Sequence, residues 1–210
     1  MAHKNHELDG RIIDAAFSEF LKKGYRDASL RKIAEKAGAT VGAIRTRYRT
    51  KDALFCGLIE PFVSEIEAVF QSIKAEYFQN ITDDVVAHLE KSMRLESKTI
   101  LHVIFDHYDE AVLLLCRSGG SSLEGFFDEI IERKVCESAA FFRGRKEGYF
   151  DQNLLQLLIS SQFYSYFQIV NNGYGKDAAE RYMNAVMQYH FGGWMALLNL
   201  REKPDGDDDL

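Results

Sequence analysis

Between Tyr25 and Lys51 the chain sets eight cations, Arg26, Arg31, Lys32, Lys36, Arg45, Arg47, Arg49 and Lys51, against only Asp27 and Glu35. Guanidinium and ammonium groups at this density suit one chemistry, the neutralisation of a phosphate backbone and hydrogen-bond donation to its oxygens. A cluster of cations by itself is an ordinary solvated face. Here it surrounds Val41-Gly42-Ala43, three small residues whose helical surface is narrow enough to enter a major groove.

Other chemistries find less support. His102 and Asp106 stand four residues apart on one helical face, but His107 falls off that face and no third ligand is evident, so no metal site is expected. Cys56, Cys116 and Cys136 are widely spaced, which excludes a disulfide framework or a CxxC pair and fits a reducing cytoplasm. They read as small buried hydrophobes rather than redox sensors. There is no HExxH, GxSxG, Walker loop or GxGxxG, and Gly119-Gly120-Ser121-Ser122 reads as a helix connector. The chain is expected to be no enzyme and to need no cofactor. MAHKNHELDG lacks the apolar run of a signal peptide.

The elements that must position the cations are helices. Only two prolines occur in 210 residues, and no segment reads as a strand. Ile13, Ala16, Phe17, Phe20 and Leu21 follow helical spacing and predict a helix over about 7–23, stopped at Gly24, with Phe17 and Phe20 in the core. Ser29 is an N-cap for a short helix through Lys36, and Thr40 caps another through about Arg47. Thr50 caps a longer helix from Lys51 into the high 70s, with Pro61 expected to kink or interrupt it. A further helix is expected after Thr82, with Asp83 and Asp84 in its first turn, and others near 97–106, 107–117 and 121–146. Three helices at the front, the last two short and joined by Ala37-Gly38-Ala39, form a helix-turn-helix pattern.

Charge divides the chain in two. The net charge is -6, but residues 1–52 carry 12 Lys/Arg against 7 Asp/Glu while residues 53–210 carry 14 against 25. A basic front and an acidic back point to units with different partners, nucleic acid being one. Two stretches, 152–175 and 182–200, contain no Asp, Glu, Lys or Arg. Gln152, Asn153, Gln156, Gln162, Gln168, Asn184, Gln188 and Asn199 make them too polar to cross a membrane. They predict two helices covered on more than one side, a hairpin able to pair with a second copy as a four-helix bundle. Leu155, Ile159, Tyr189, Gly193, Trp194 and Leu197 are the residues expected at that dimer interface.

The stretch from Arg11 to Phe55 resembles the DNA-binding domain of the TetR family of transcriptional regulators. The resemblance lies in the order of its pieces: an Ala-Ala-Phe helix ending in Lys-Lys-Gly-Tyr, then Ser29-Leu30-Arg31-Lys32-Ile33-Ala34, Ala37-Gly38, Gly42-Ala43-Ile44, Tyr48 and Lys51-Asp52-Ala53-Leu54. It implies an all-α fold in which a three-helix DNA-binding domain over 6–52, with its recognition helix about 40–47 and a family-style extent to about 66, precedes a helical ligand-binding and dimerisation domain over 53–202. An acidic, disordered tail is expected over 203–210. The resemblance also assigns roles. Val41 and Gly42 would meet base edges, as would Arg31, while Arg45 would read a base or only bind phosphate. Ser29, Thr40, Arg47, Tyr48 and Lys51 would contact phosphates. The family usually carries aromatic-aromatic-His-Phe where this chain has Arg45-Thr46-Arg47-Tyr48, so a guanidinium replaces an aromatic contact.

Residues 53–210 hold 22 of the 26 aromatic residues. Phe105, Tyr108, Phe126, Phe127, Phe141, Phe142, Phe163, Tyr164, Tyr166 and Phe167 are expected on helices around a cavity, suited to a lipophilic or planar ligand. The residues expected to line it are His102, Phe105, Tyr108, Phe127, Gln162, Phe163 and Tyr166, with His102 or Gln162 as polar anchor. The combined expectation is a cytoplasmic, homodimeric regulator, a repressor in the first instance, that binds double-stranded operator DNA and is released by a small-molecule effector. The alternatives are an activator, a regulator without a ligand, or a helical module for a protein partner.

Overall fold

The computed structural model describes residues 2–79, 85–143 and 151–202, with side chains for 7–74, 89–140 and 151–197. Thr82, Asp83, Asp84 and the acidic tail therefore lie outside the described residues, as do the side chains of Phe141 and Phe142. The described residues form nine helices and no strand: α1 (Ala2–Asp27), α2 (Leu30–Ala37), α3 (Val41–Arg47), α4 (Lys51–Gln79), α5 (Val85–Asp106), α6 (Tyr108–Arg117), α7 (Phe126–Arg143), α8 (Gln152–Asn171) and α9 (Lys176–Glu202). The fold is all-α, as the proline count and helical spacing predict. The separate helix expected near 97–106 is the second half of α5, and α4 runs through an exposed Pro61 without interruption.

The chain divides into two compact units. The first comprises residues up to Ala68 with His102–Phe127 and Val170–Gly173; the second comprises Val69–Leu101, Asp128–Ile169 and the residues from Tyr174 onward. This division differs from the expected one at residue 52, because α6 packs on α1 and joins the front of the chain.

In the first unit Ile12, Ala16, Phe20, Ile33, Ala37, Ile44, Leu54 and Phe55 are buried. Phe20 meets Phe55 edge to face at 5.1 Å, and Tyr25 meets the same ring at 5.2 Å. The buried stripe of α1 runs through Ile12, Ala15, Ala16, Glu19 and Phe20, one residue round from the expected one. Ile13, Phe17 and Leu21 are consequently half-buried at its margin, and Phe17 is not a core residue. Buried Glu19 faces Lys36 of α2 at 3.5 Å, which explains how a carboxylate occupies an inward position.

Two glycines shape the ends of these helices. Gly38 closes α2 with φ 61° and ψ 38°, a left-handed cap whose N–H returns to Ala34 and Glu35. Gly24 adopts φ 73° and ψ 167°, a region essentially closed to other residues. It offsets the last turn of α1 instead of ending the helix, and its α-carbon lies close to the Arg117 carbonyl, 3.6 Å from where a β-carbon would sit.

The second unit is built from the end of α4, most of α5, α7, most of α8, and α9. Val135, Leu155, Ile159, Phe163, Met183 and Met187 are buried in it. Gly24→Ala should destabilise the protein by about 1–3 kcal/mol, since alanine must hold a strained backbone there. Urea unfolding of both proteins measures this, and an unchanged midpoint would show that α1 can straighten through residue 24.

Candidate functional site

The helix-turn-helix is assembled by its caps. Thr40 is the N-cap of α3, and its hydroxyl oxygen accepts the Ala43 N–H at 3.1 Å. Ser29 holds the N-cap backbone conformation of α2 without a side-chain capping bond. Ile44 turns fully inward, so the opposite face of α3 presents Gly42, Arg45 and Thr46 to solvent with Val41 half-exposed. Arg31 and Lys32 on α2 and Arg49 after α3 are exposed as well. The residues expected to meet bases, Arg31, Val41, Gly42 and Arg45, are therefore all accessible.

Gly42 is not required by the fold. A β-carbon there would meet nothing nearer than the Thr40 hydroxyl at 3.7 Å, and its backbone is helical. A bare backbone on an exposed face of the α3 N-terminus leaves room for something outside the chain.

Three residues expected on phosphates are engaged internally. Arg47 is half-buried, paired with Asp9 of α1 and bonded through Nη1 to the Ala43 carbonyl at 3.1 Å. Tyr48 is half-buried, its ring edge 3.5 Å from where a β-carbon on Gly57 would sit. Lys51 Nζ donates to the carbonyls of Tyr25 at 2.7 Å and of Arg26 and Ala28 at 3.2 Å, and it lies 4.4 Å from the centre of the Tyr25 ring. The first two of these carbonyls belong to the end of α1 and the third lies just beyond it, where helix carbonyls lack partners and a cation is favoured. Next to Lys51, Asp52 accepts the Ser122 N–H at 2.9 Å and its hydroxyl at 2.7 Å. Burial pushes the Asp52 carboxyl up, but these bonds outweigh it and hold it below the usual carboxylate range. Cys56 sits beside them, and burial followed by the Asp52 charge raises its thiol pKa.

The aromatic residues expected around one cavity are divided between the units. Phe105 and Tyr108 stack on each other at 5.6 Å in the first unit, where Tyr108 donates to the Val170 carbonyl at 3.4 Å and Phe127 is half-buried. His102 is largely exposed and pairs with Asp106 at 3.3 Å, so it is no buried anchor. His107 turns to Glu65 at 3.0 Å, away from that pair. The cavity lies within the second unit, has a volume of about 100 Å³, and takes only Gln162 and Phe163 from the expected set. Tyr166 is fully buried, and its hydroxyl lacks a hydrogen-bond partner. Burial and nearby Glu96 push that hydroxyl far above its ordinary pKa.

Sequence reasoning missed Glu96, Lys134, Lys74 and Glu137 in the cavity wall, since charged residues on amphipathic helices read as solvent-facing. Lys134 donates to Glu96 at 2.8 Å, and Lys74 to Glu137 at 2.8 Å. The interface residues also need correction. Leu155, Ile159 and Trp194 are buried by the chain's own side chains, and Ile159 and Trp194 line the cavity. Tyr189 and Gly193 are exposed, and Leu197 half-buried. Leu157, Tyr164 and Tyr182, not selected from sequence, are 70%, 53% and 49% exposed. For Leu157 and Tyr164 the absence of charged neighbours was visible, but which face of each helix turned outward was not; Tyr182 directly follows Glu180 and Arg181.

The site and fold define a helical protein with an N-terminal helix-turn-helix. Residues 12–56 match the family model described as bacterial regulatory proteins, tetR family. Over 109 residues the chain is 30% identical to the uncharacterized HTH-type transcriptional regulator YdgC of Bacillus subtilis (strain 168), covering 52% of this chain and 53% of that protein. The chain thus spans about half the length of this curated relative. Among solved structures, a TetR-like transcriptional regulator from Rhodococcus sp. RHA1 superposes with a TM-score of 0.58 at 17% identity, covering 89% of this chain and 96% of that one. The transcriptional regulator FadR from Bacillus subtilis, in complex with stearoyl-CoA, gives 0.57 at 18%, covering 87% and 97%. The N-terminal helix-turn-helix thus matches the tetR family over residues 12–56.

Replacing Lys51 with Met should cost about 1–3 kcal/mol, because half-buried carbonyls at the end of α1 lose their donor. Urea titration tests this independently of any DNA measurement. An unchanged midpoint would mean that the three carbonyl bonds contribute nothing to the fold.

Proposed function

We propose that the protein is a transcriptional regulator, in the first instance a repressor, that binds a palindromic DNA operator as a homodimer and is released by a small lipophilic effector. The observation that carries the DNA half is the exposed, Thr40-capped face of α3 with its bare backbone at Gly42, flanked by cations. The matches to the tetR family model and to YdgC support the same reading. In it Val41, Gly42 and Arg45 of α3 and Arg31 of α2 meet base edges. Thr40, Ser29 and Tyr48 face phosphates, and Arg47 and Lys51 reach them only by exchanging their present partners. Two recognition helices about 34–36 Å apart would read two half-sites one helical turn apart.

For the dimer, the support is the exposed uncharged surface of the second unit. Leu157, Ser161 and Tyr164 follow one line of α8, and Tyr182, Ala185, Tyr189 and Gly193 one line of α9, all but one wholly free of charge around them and none of them covered by the chain. The proposed interface therefore keeps Tyr189 and Gly193 from the expected set and replaces Leu155, Ile159 and Trp194 with Leu157, Tyr164 and Tyr182. Apolar surface of this kind is typical of a protein contact. No helix among the described residues is long and apolar enough to cross a membrane.

For the effector, the support is the largely apolar cavity of the second unit, together with the stearoyl-CoA held by the FadR neighbour. Release from DNA requires that the effector bind the two states of the protein with different affinity. Helix α4, continuous from Lys51 to Gln79, gives the coupling an unbroken covalent path.

Selection of bound sequences from random DNA, followed by gel shifts on the selected operator, tests the reading. Affinity should fall steeply with salt, about a thousandfold between about 50 and 200 mM if some six phosphates are contacted. Arg31→Ala should relax discrimination at one base pair by about 1–3 kcal/mol. Gly42→Leu should abolish operator binding while leaving the urea midpoint unchanged or higher, since leucine is the better helix former. Operator binding retained by Gly42→Leu would remove α3 from the groove.

A further inference from the structure

We infer that Thr46 is a specificity-determining residue of the proposed DNA-binding face, and that it reads the C5 methyl group of a thymine in the major groove. This rests on the proposed reading of α3 as the recognition helix and adds to it the class of base recognised.

The helix geometry of α3 decides which of its residues are outermost. Ile44 is completely buried and marks the inward direction. At about 100° of turn per residue, Gly42 and Thr46, two positions to either side of Ile44, lie about 160° from it and only about 40° from each other. They share the line opposite the core, while Ala43 and Arg45 stand about 100° round on the two flanks. Gly42 and Thr46 are both exposed. A surface against which α3 lies is therefore met first along this line. Gly42 has no side chain to offer there, so Thr46 is the side chain nearest the middle of the face.

That side chain is already oriented. Its hydroxyl donates to the Gly42 carbonyl at 2.9 Å, one turn back along the same line. Threonine in a helix divides between two rotamers, and such a bond to the preceding turn selects among them. The hydroxyl proton is thereby spent on the chain's own backbone, and the methyl is the branch left for an outside contact. The space beside it is open. Apart from the helix itself, only the Thr40 hydroxyl comes within 4 Å of where a β-carbon on Gly42 would sit.

In the major groove the base pairs differ in their hydrogen-bonding edges, and thymine alone adds an apolar group, its C5 methyl. An exposed threonine methyl in the middle of the face has that one match. The threonine oxygen can still accept a hydrogen bond, but only from the amino group of adenine or cytosine, and serine would share that preference.

The measurement uses the full-length protein and the operator it selects from random DNA, with each thymine replaced in turn by deoxyuridine. That exchange removes the methyl and leaves the pairing unchanged. At one thymine of each half-site the unaltered protein should lose about fourfold in affinity, the scale of one buried methyl. Thr46→Ser, which keeps the hydroxyl and deletes the methyl, should bind the thymine and deoxyuridine forms equally. Thr46→Val, which keeps a methyl and deletes the hydroxyl, should retain the penalty. Half-sites that tolerate deoxyuridine at every position, or a penalty that survives in Thr46→Ser, would overturn the inference. So would a preference for adenine or cytosine that Thr46→Ser keeps and Thr46→Val loses, since it would give the position to the hydroxyl. Should Thr46→Ser not fold, Thr46→Ala, which also lacks the methyl and is the better helix former, takes its place. If the unaltered protein selects no sequence at all, the DNA-binding reading of α3 itself is overturned, an outcome distinct from a selected operator that is indifferent to its methyl groups.

Discussion

The first unit depends on how the end of α1 is tied to the start of α4. The last carbonyls of α1 need donors, and Gly24 has already turned that segment out of the helix axis. Lys51 meets two of them, Tyr25 and Arg26, and the Ala28 carbonyl just beyond with one ammonium, and lies over the Tyr25 ring, which in turn packs on Phe55. The residue that opens α4 therefore also closes α1, and α2 and α3 are held in the loop so formed. Asp52 extends the tie, because it anchors the connector before α7 through Ser122. A cation at the first position of a helix opposes the macrodipole of that helix. The arrangement is stable because the charge is turned away toward the terminus of another helix, where the dipole favours it.

This tie changes the meaning of the basic cluster. Eight cations between Tyr25 and Lys51 look equivalent in sequence, yet they divide by position. Arg31, Lys32, Arg45 and Arg49 are exposed and available to a polyanion. Arg47 and Lys51 are half-buried, holding α1 against α3 and α4, and Lys36 attends to the buried Glu19. Formal charge in the segment thus overstates the charge free to meet phosphate. The exposed members lie on α2, on α3 and just after α3, so the selection made by the fold sharpens the basic surface around the recognition helix.

Much of the front unit was legible because its signals are local. Thr40, Thr50 and Gly38 fix helix ends through bonds spanning a few residues, Ser29 holds the N-cap backbone conformation without a side-chain bond, and the observed helices begin or end where those residues stand. The face of α1 was misread by one position because Ile12 and Ile13 are equally apolar, and only Glu19, compensated from α2 by Lys36, reveals which stripe is inward. The cavity was poorly legible for a related reason. Its wall includes Glu96, Lys134, Lys74 and Glu137, each paired with a residue 38 or more positions away. Such pairing leaves no trace in helical periodicity. His102, which stood in an apolar run, proved exposed, since Leu101, Val103 and Ile104 already fill the inward side of α5.

The uncharged helices α8 and α9 show why composition cannot say which surface does which task. Absence of charge predicted both helices to be covered on several sides, but the chain itself covers only one side of each. Leu155, Ile159, Phe163 and Trp194 are covered from within, the last three at the cavity wall. Leu157, Tyr164, Tyr182 and Tyr189 are left open. One helical turn separates Leu155 from Ile159, while Leu157 points elsewhere, so residues two apart serve opposite sides. A ligand and a second copy would then press on the same two helices from opposite faces. Because close-packed interiors transmit strain, an effector filling the inner face would, on the proposed reading, be felt at the outer one, and the effector's chemistry and the dimer's geometry would not be tuned independently.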